Sequence, residues 1–202
     1  MRGARRRASG DLRPRILDAA AAEFGERGYA AAATRSIARR AGIAEGTLFN
    51  YFATKQDLFV SSIARIVLDP LPGLLAGPTG DYEVVVRRLI ADRLALWERH
   101  AGLLKALLAE ALFRREVAEA VRRRVFEPAL AELVAYLERC MDEGHMRRAD
   151  ARAAALALVA LVMGAGIQRE VARVAGGPPL GADTSSLADL VAHGLASGPE
   201  SG

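Results

Sequence analysis

A chain of 202 residues admits one large domain or two small ones, and with 51% apolar but only 5% aromatic residues its core must be built mainly from Ala, Leu and Val, which favours helices packed on helices. The net charge of +4 is local: residues 1–60 hold 11 Lys/Arg against 6 Asp/Glu, while the other 142 hold 17 against 18. A basic head on a near-neutral body implies a polyanionic partner, nucleic acid or an anionic membrane, engaged by one end of the molecule.

Cys140 is the only cysteine, which excludes an intrachain disulfide and a multi-cysteine metal site and points to a reducing, cytoplasmic compartment. No apolar run of signal-peptide type follows the N-terminal arginines. The longest uncharged apolar stretch, Ala153 to Ile167, has 15 residues, fewer than the roughly 18 of a membrane span, so a soluble protein without a membrane partner is expected.

In chain order, residues 1–10 carry Arg2, Arg5, Arg6 and Arg7 among Gly and Ser and are predicted to be a disordered basic arm. A helix from about Arg13 to Arg27 places Ile16, Ala20 and Phe24 on one face, and Gly28 stops it. A short helix over Thr34–Ala41 buries Ile37, Ala38 and Ala41, and a third covers Glu45–Phe52. Between them Gly42-Ile43-Ala44 has the length and the glycine of a turn at which two helices meet steeply, with Ile43 pinning it to the core. Thr54, with Asp57 three residues later, caps the next helix, whose stripe is Phe59, Ile63 and Ile66 or Val67. Asp69-Pro70-Leu71-Pro72-Gly73 ends it, and residues 70–80 read as a linker loop.

Beyond the linker every pattern is helical. Val86, Leu89, Ile90, Leu94 and Trp97 share a face, and Leu103, Leu104, Leu107 and Leu108 repeat the pattern after a break near Gly102. Leu130, Leu133, Val134, Leu137, Cys140 and Met141 form the stripe of a long helix in which Pro128 marks a kink or a start and which Gly144 ends. Asp150 caps a helix to about Arg173. A last helix is predicted over Thr184–Ala196, and 198–202 should be disordered. The expected fold class is all-α, divided into the arm at 1–10, a three-helix head with a helix-turn-helix at 11–56, a helical body at 57–197, and the tail at 198–202.

At about 100° per residue, Leu48 and Phe52 of the third helix point into the core while Gly46, Thr47 and Asn50 point outward, with Phe49 and Tyr51 on the flanks. One anchored face and one compact, uncharged, hydrogen-bonding face suit the major groove. Asn50 can pair with adenine, Phe49 can touch a thymine methyl, and Gly46 permits close approach. Thr34, Arg35, Tyr51 and Lys55 surround this surface as phosphate contacts.

The residues Ile16-Leu17-Asp18-Ala19-Ala20, Phe24, Glu26-Arg27-Gly28-Tyr29, Ile37-Ala38, Ala41-Gly42-Ile43, Gly46-Thr47-Leu48-Phe49, Tyr51-Phe52 and Lys55 resemble the head of the TetR family of transcriptional regulators. That resemblance implies a homodimer whose third helices enter successive major grooves of a palindromic double-stranded operator, usually repressing until a small-molecule effector binds the body. It also implies that Glu45 through Tyr51 form the reading helix, that Thr34 and Arg35 are the second-helix contacts, and that Lys55 is the phosphate-contacting lysine. Two positions depart from the family pattern. Ala32 and Ala33 stand where Thr or Ser often caps the second helix, leaving that role to Thr34, and Phe49 replaces the usual tyrosine.

In the body, Leu158, Leu161, Val162, Leu187, Leu190, Val191 and Leu195 are the apolar surface expected to pair two protomers, with the reading helices about 34 to 36 Å apart or somewhat more. Candidate ligand contacts are Trp97, Phe113, Tyr136, Cys140, Met141, Met163 and Gln168, and the ligand is expected to be largely hydrophobic. His100, His145 and His193 are too scattered for a metal site, no serine lies in a nucleophile elbow, and no cofactor or catalytic residue is expected. Gly164-Ala165-Gly166 reads as a place of close helix packing, and Arg122-Arg123-Arg124 as a solvated helix face rather than a second anion contact. Two readings compete with the regulator: an architectural protein indifferent to DNA sequence, and an all-helical lipid carrier or enzyme.

Overall fold

A computed structural model describes residues 12–178 together with Ser186 and Asp189. The expected arm, the last helix apart from those two residues, and the tail lie outside the described residues. The elements among them are helical: α1 (Leu12–Ala31), α2 (Thr34–Arg40), α3 (Glu45–Tyr51), α4 (Lys55–Leu68), α5 (Leu71–Leu74), a 3-10 turn (Thr79–Asp81), α6 (Tyr82–Arg99), α7 (Ala101–Phe113), α8 (Arg115–Val121), a π turn (Arg122–Phe126), α9 (Glu127–Asp142) and α10 (Ala151–Ala175). The chain divides into two compact units. One comprises the described residues up to Val67 together with His100–Phe126, and the other Leu68–Arg99 together with the described residues from Glu127 onward.

The first unit is organised around α1. Ile16, Ala20 and Phe24 are buried as their i, i+4 spacing predicts. Phe24 lies edge-on to Phe59 of α4 at 4.9 Å between ring centroids, and Tyr29 stacks on Phe24 at 5.9 Å. The chain bends at Gly28, whose φ of 74° is available to glycine at little cost, so one further turn runs on to Ala31 beyond the expected stop. α7 packs along α1 so closely that a Cβ on Gly102 would overlap the carbonyl of Gly25. Gly102 therefore sits inside α7 as a contact residue, and the break expected near it falls at His100.

Within the same unit, α8 passes into the π turn immediately before Pro128. A proline removes the N–H that would bond the Arg124 carbonyl and its ring crowds that carbonyl, so a widened turn accommodates it without ending the helix. The arginine run lies in this turn and is not simply solvated: Arg124 donates to Asp57 Oδ1 at 2.7 Å and to Ser61 Oγ at 2.6 Å, tying the turn to α4. The Asp57 N–H in turn bonds Thr54 Oγ1 at 2.9 Å, the cap expected from sequence.

The second unit buries Val86, Leu89, Ile90 and Leu94 of α6 against Leu130, Leu133, Tyr136, Leu137, Cys140 and Met141 of α9 and Ala151, Ala155 and Leu158 of α10. The supposed linker contributes too, because Leu71 and Leu75 belong to this core and α5 and the 3-10 turn order residues expected to be loop. Asp150 Oδ1 accepts from the Ala153 N–H at 3.0 Å and so caps α10. Gly166 packs against α6, where a Cβ would overlap the indole of Trp97. By length and composition α10 is apolar enough to cross a membrane, although its uncharged stretch is short; here it packs against α6 and α9.

Leu158 is buried in this unit and so does not belong to the outward surface expected of it, while Leu161 and Val162 are half-buried at the edge of the same core. The exposed large apolar residues of α10 are Leu156, Ile167, Val171 and Val174, set by the rotation of the helix about Ala151, Ala155 and Leu158.

Helix propensity alone would make Gly102→Ala stabilising by up to about 1 kcal/mol. Because the added methyl meets backbone, the substitution is expected to destabilise the protein by about 1–3 kcal/mol. The sign of the shift in urea midpoint decides between the two.

Candidate nucleic-acid interface

The surface that sequence patterning assigns to DNA is built by α2, the turn after it and α3. Ile37 and Ala38 of α2 and Leu48 of α3 are buried with Ile16, Ala20 and Phe24, and Phe52 closes the end of α3. Gly42 turns the chain with φ 69°, and the Ile43 N–H donates to the Ala38 carbonyl at 3.0 Å. Ile43 itself is half-buried against the head.

With Leu48 and Phe52 held inside, the opposite side of α3 is forced outward. Gly46 is exposed with open space where a side chain would project, Asn50 is exposed, Thr47 and Tyr51 are half-buried, and Phe49 is 45% exposed. Arg35 is exposed on α2. Thr34 does not cap α2: Ala33 is the cap residue without a side-chain bond, and Thr34 Oγ1 donates to Glu45 Oε1 at 2.6 Å. Standing one residue inside the helix, the hydroxyl bridges the starts of α2 and α3 instead.

Lys55 is engaged within the head. Its ammonium donates to the Ala30 carbonyl at 3.1 Å and lies 4.9 Å from the centre of the Tyr29 ring. Burial pushes its pKa down, and the Glu110 carboxylate partly offsets this. A phosphate contact from Lys55 therefore requires the side chain to leave these partners.

Several orienting groups were not visible in sequence because their partners lie far along the chain. Arg15 Nη2 donates to the Ala41 carbonyl at 2.9 Å, satisfying the end of α2. Arg40 forks onto Glu26 at 2.7 and 2.6 Å and lies 3.7 Å from Glu23, whose carboxylate is buried and also meets Arg27 at 3.2 Å. The hydrogen bond from Arg40 holds Glu26 below the usual carboxylate range against an opposing effect of burial. The Arg13 guanidinium covers the ring of Phe52 at 4.7 Å. These contacts fix α2 and α3 against α1, so the exposed face is presented on a braced support.

The residues expected at a ligand site are only partly brought together. Tyr136, Cys140 and Met141 lie in the core of the second unit, Trp97 is buried against α10, and Met163 is half-buried. Phe113 is 87% exposed at the end of α7 and Gln168 is exposed on α10, so neither lines an interior. Phe113 falls where α7 ends, and Gln168 lies two positions past the buried Gly166, on the turned-out side of its helix. Burial raises the pKa of both Tyr136 and Cys140. The Trp97 indole N–H is buried with no hydrogen-bond partner among the described residues, and the Tyr136 hydroxyl is buried beside the Cys140 thiol. A shallow groove of about 390 Å³ lies elsewhere on this unit, along Leu130, Ala131, Val134 and Arg152. Among the described residues no group of three or more His, Cys, Asp and Glu could hold a metal.

Two short helices joined by a glycine turn, one anchored and one presenting small and amide side chains outward, define a helix-turn-helix, a motif that in other proteins docks in the DNA major groove. The sequence model described as "Bacterial regulatory proteins, tetR family" matches residues 16–61, and that described as "AefR-like transcriptional repressor, C-terminal domain" matches residues 90–192. The chain belongs to the TetR family.

Over 55 residues it is 47% identical to the HTH-type transcriptional repressor KstR of Rhodococcus jostii, a match covering 27% of this chain and 26% of that protein. The chain thus matches about a quarter of the length of such curated relatives. Its fold is similar to that of a TetR-family transcriptional regulator from Mesorhizobium loti, with a TM-score of 0.72 at 23% identity over 93% of this chain and 96% of that one. It is also similar to the regulator FadR of Bacillus subtilis in complex with stearoyl-CoA, with a TM-score of 0.68 at 19% identity over 93% and 99%.

The anchoring and outward residues of α3 are separable by experiment. Leu48→Ala is expected to cost about 2–5 kcal/mol in thermal or urea unfolding. Thr47→Ala and Asn50→Ala, which remove no buried contact, are expected to stay within about 0.5 kcal/mol.

Proposed function

We propose that this protein is a dimeric repressor that holds a palindromic operator through α3 and leaves it when a small, largely hydrophobic ligand occupies the second unit. The observation that carries the reading is the division of α3 between a buried Leu48–Phe52 side and an outward side bearing Gly46, Thr47 and Asn50. Thr47 and Asn50 read base edges, Phe49 contacts a thymine methyl, and Arg35, Tyr51 and, once released, Lys55 take phosphates. The head has the charge for this work, since residues 1–60 hold the basic excess.

Dimerisation is assigned to the outward stripe of α10. Leu156, Ile167, Val171 and Val174 follow one another at helical spacing and remain exposed in the single chain, and a second copy of the same stripe would cover them by two-fold symmetry. The sensing role rests on the second unit, whose core is apolar around Tyr136, Cys140 and Met141, and where the buried Trp97 Nε1–H has a hydrogen-bonding capacity that a ligand acceptor would satisfy. FadR, a regulator of similar fold, carries stearoyl-CoA, a ligand with a long apolar chain. Release follows if the ligand favours a conformation of the dimer in which the two reading helices no longer match successive grooves, and the size of the response is set by its differential affinity.

The double substitution Asn50→Ala with Lys55→Ala is expected to abolish operator binding in gel-shift titrations while leaving the circular dichroism spectrum unchanged. Operator binding at the wild-type level by that variant would show that the reading helix is misassigned. Equal affinity of the wild-type protein for operator and random duplex at one salt concentration would mark an architectural binder instead.

Ile167→Glu with Val171→Glu places charges in the proposed interface. Light scattering is expected to report a monomer, with operator affinity reduced at least about tenfold because one head alone makes half the contacts. A dimer persisting at micromolar concentration would remove α10 from the interface.

A further inference from the structure

Five acids lie among the described residues of the head, and four face an arginine. Asp18 meets Arg65 at 3.4 Å, Glu23 meets Arg27 at 3.2 Å, Glu26 meets Arg40 at 2.6 Å, and Asp57 meets Arg124 at 2.7 Å. The fifth, Glu45, faces no cation among the described residues; its carboxylate accepts only the hydroxyl of Thr34, at 2.6 Å. It is the first residue of α3, is half-buried, and precedes the open surface at Gly46.

A bare carboxylate on a surface turned toward phosphates weakens binding to every DNA sequence alike. The penalty is offset only where the carboxylate meets a hydrogen-bond donor, and an ionised carboxylate is acceptor-only. In the major groove the donors are the exocyclic amino groups of cytosine and adenine. On adenine the amino group adjoins N7, itself an acceptor that repels a carboxylate, whereas cytosine presents N4–H₂ with no acceptor beside it on the same base. The Thr34 hydroxyl fixes one oxygen of Glu45 and thereby holds the other in a defined position. Its single proton is then spent, so Thr34 cannot also donate to a phosphate while the pair is intact.

We propose that Glu45, clamped by Thr34, selects a cytosine in each operator half-site by accepting a hydrogen bond from its amino group, and that the same charge suppresses binding to unrelated DNA. The proposal rests on the reading of α3 as the groove helix. Glu45 is thus a specificity-determining residue and Thr34 its positioning residue.

The test is selection from a randomised duplex library by the full-length protein at one fixed salt concentration, comparing wild type with Glu45→Ala, Glu45→Gln, Thr34→Val and Asn50→Ala. The wild-type motif is expected to contain one cytosine per half-site whose preference falls about tenfold or more in Glu45→Ala. In Glu45→Gln, adenine is expected at that position, because an amide both accepts and donates. Both variants bind unselected duplex several-fold more tightly than wild type, and their thermal midpoints match it. Thr34→Val keeps the shape but removes the donor, and is expected to lose part of the cytosine preference.

An unchanged motif in Glu45→Ala overturns the proposal, as does a Glu45-dependent position at which wild type prefers an A·T pair over a G·C pair. An unchanged preference in Thr34→Val overturns the clamp. If Asn50→Ala alters a position of its own while Glu45→Ala alters none, only this inference fails. If neither alters any position, the reading of α3 fails with it.

Discussion

The seating of α3 against α2 is the constraint from which the outward surface follows. Leu48 and Phe52 are buried, as are Ile16, Ala20, Phe24, Ile37 and Ala38 of the same unit, and with the first two inside, the helical repeat leaves Gly46, Thr47 and Asn50 no direction but outward. A seven-residue helix has little stability of its own, so its conformation is maintained by this burial and not by propensity. The outward face of α3 is therefore a by-product of core packing, and its residues can vary while the fold is kept.

Around that seat, charge and hydrogen bonding add orientation. Arg15 satisfies the end of α2, the Arg40 fork joins α2 to α1, and Arg13 covers Phe52. Exposed ion pairs contribute little stability singly, but a network fixed at several points limits how far α2 and α3 can rotate against α1. Arg124 extends the bracing to α4, where it meets the carboxylate that also accepts from the Ala53 N–H just beyond α3. Pro128 sets the widened turn that carries Arg124, so a backbone constraint from one residue places a charge four residues earlier.

The second unit differs in kind. Its core is aliphatic, with Tyr82, Tyr136 and Cys140 as polar-bearing exceptions, and Trp97 of the same unit buries an indole N–H without a partner among the described residues. An orphaned donor in a close-packed interior costs stability, which is tolerated where a group serves binding.

Sequence alone determined the helical class, the order of the first four helices and the inner and outer faces of α3, because these follow from apolar spacing of 3 and 4 residues and from local signals such as Gly42 and Thr54. It also carried the family resemblance, concentrated in roughly residues 13–60, where the head's packing requires particular residues at particular offsets. Tertiary structure alone decided which partners those residues take. Thr34 was legible as a polar residue at the start of α2 but not as the clamp of Glu45, 11 residues away; Gly102 was legible as a weak point in a helix but not as the seat of Gly25. The turn of α10 that buries Leu158 and exposes Ile167 and Val171 is likewise absent from the sequence, since an apolar helix with two greasy sides does not state which side its neighbours will cover. Periodicity fixes a residue's direction relative to its own helix, whereas contacts depend on how helices cross, and that is settled only when all of them compete for the same core.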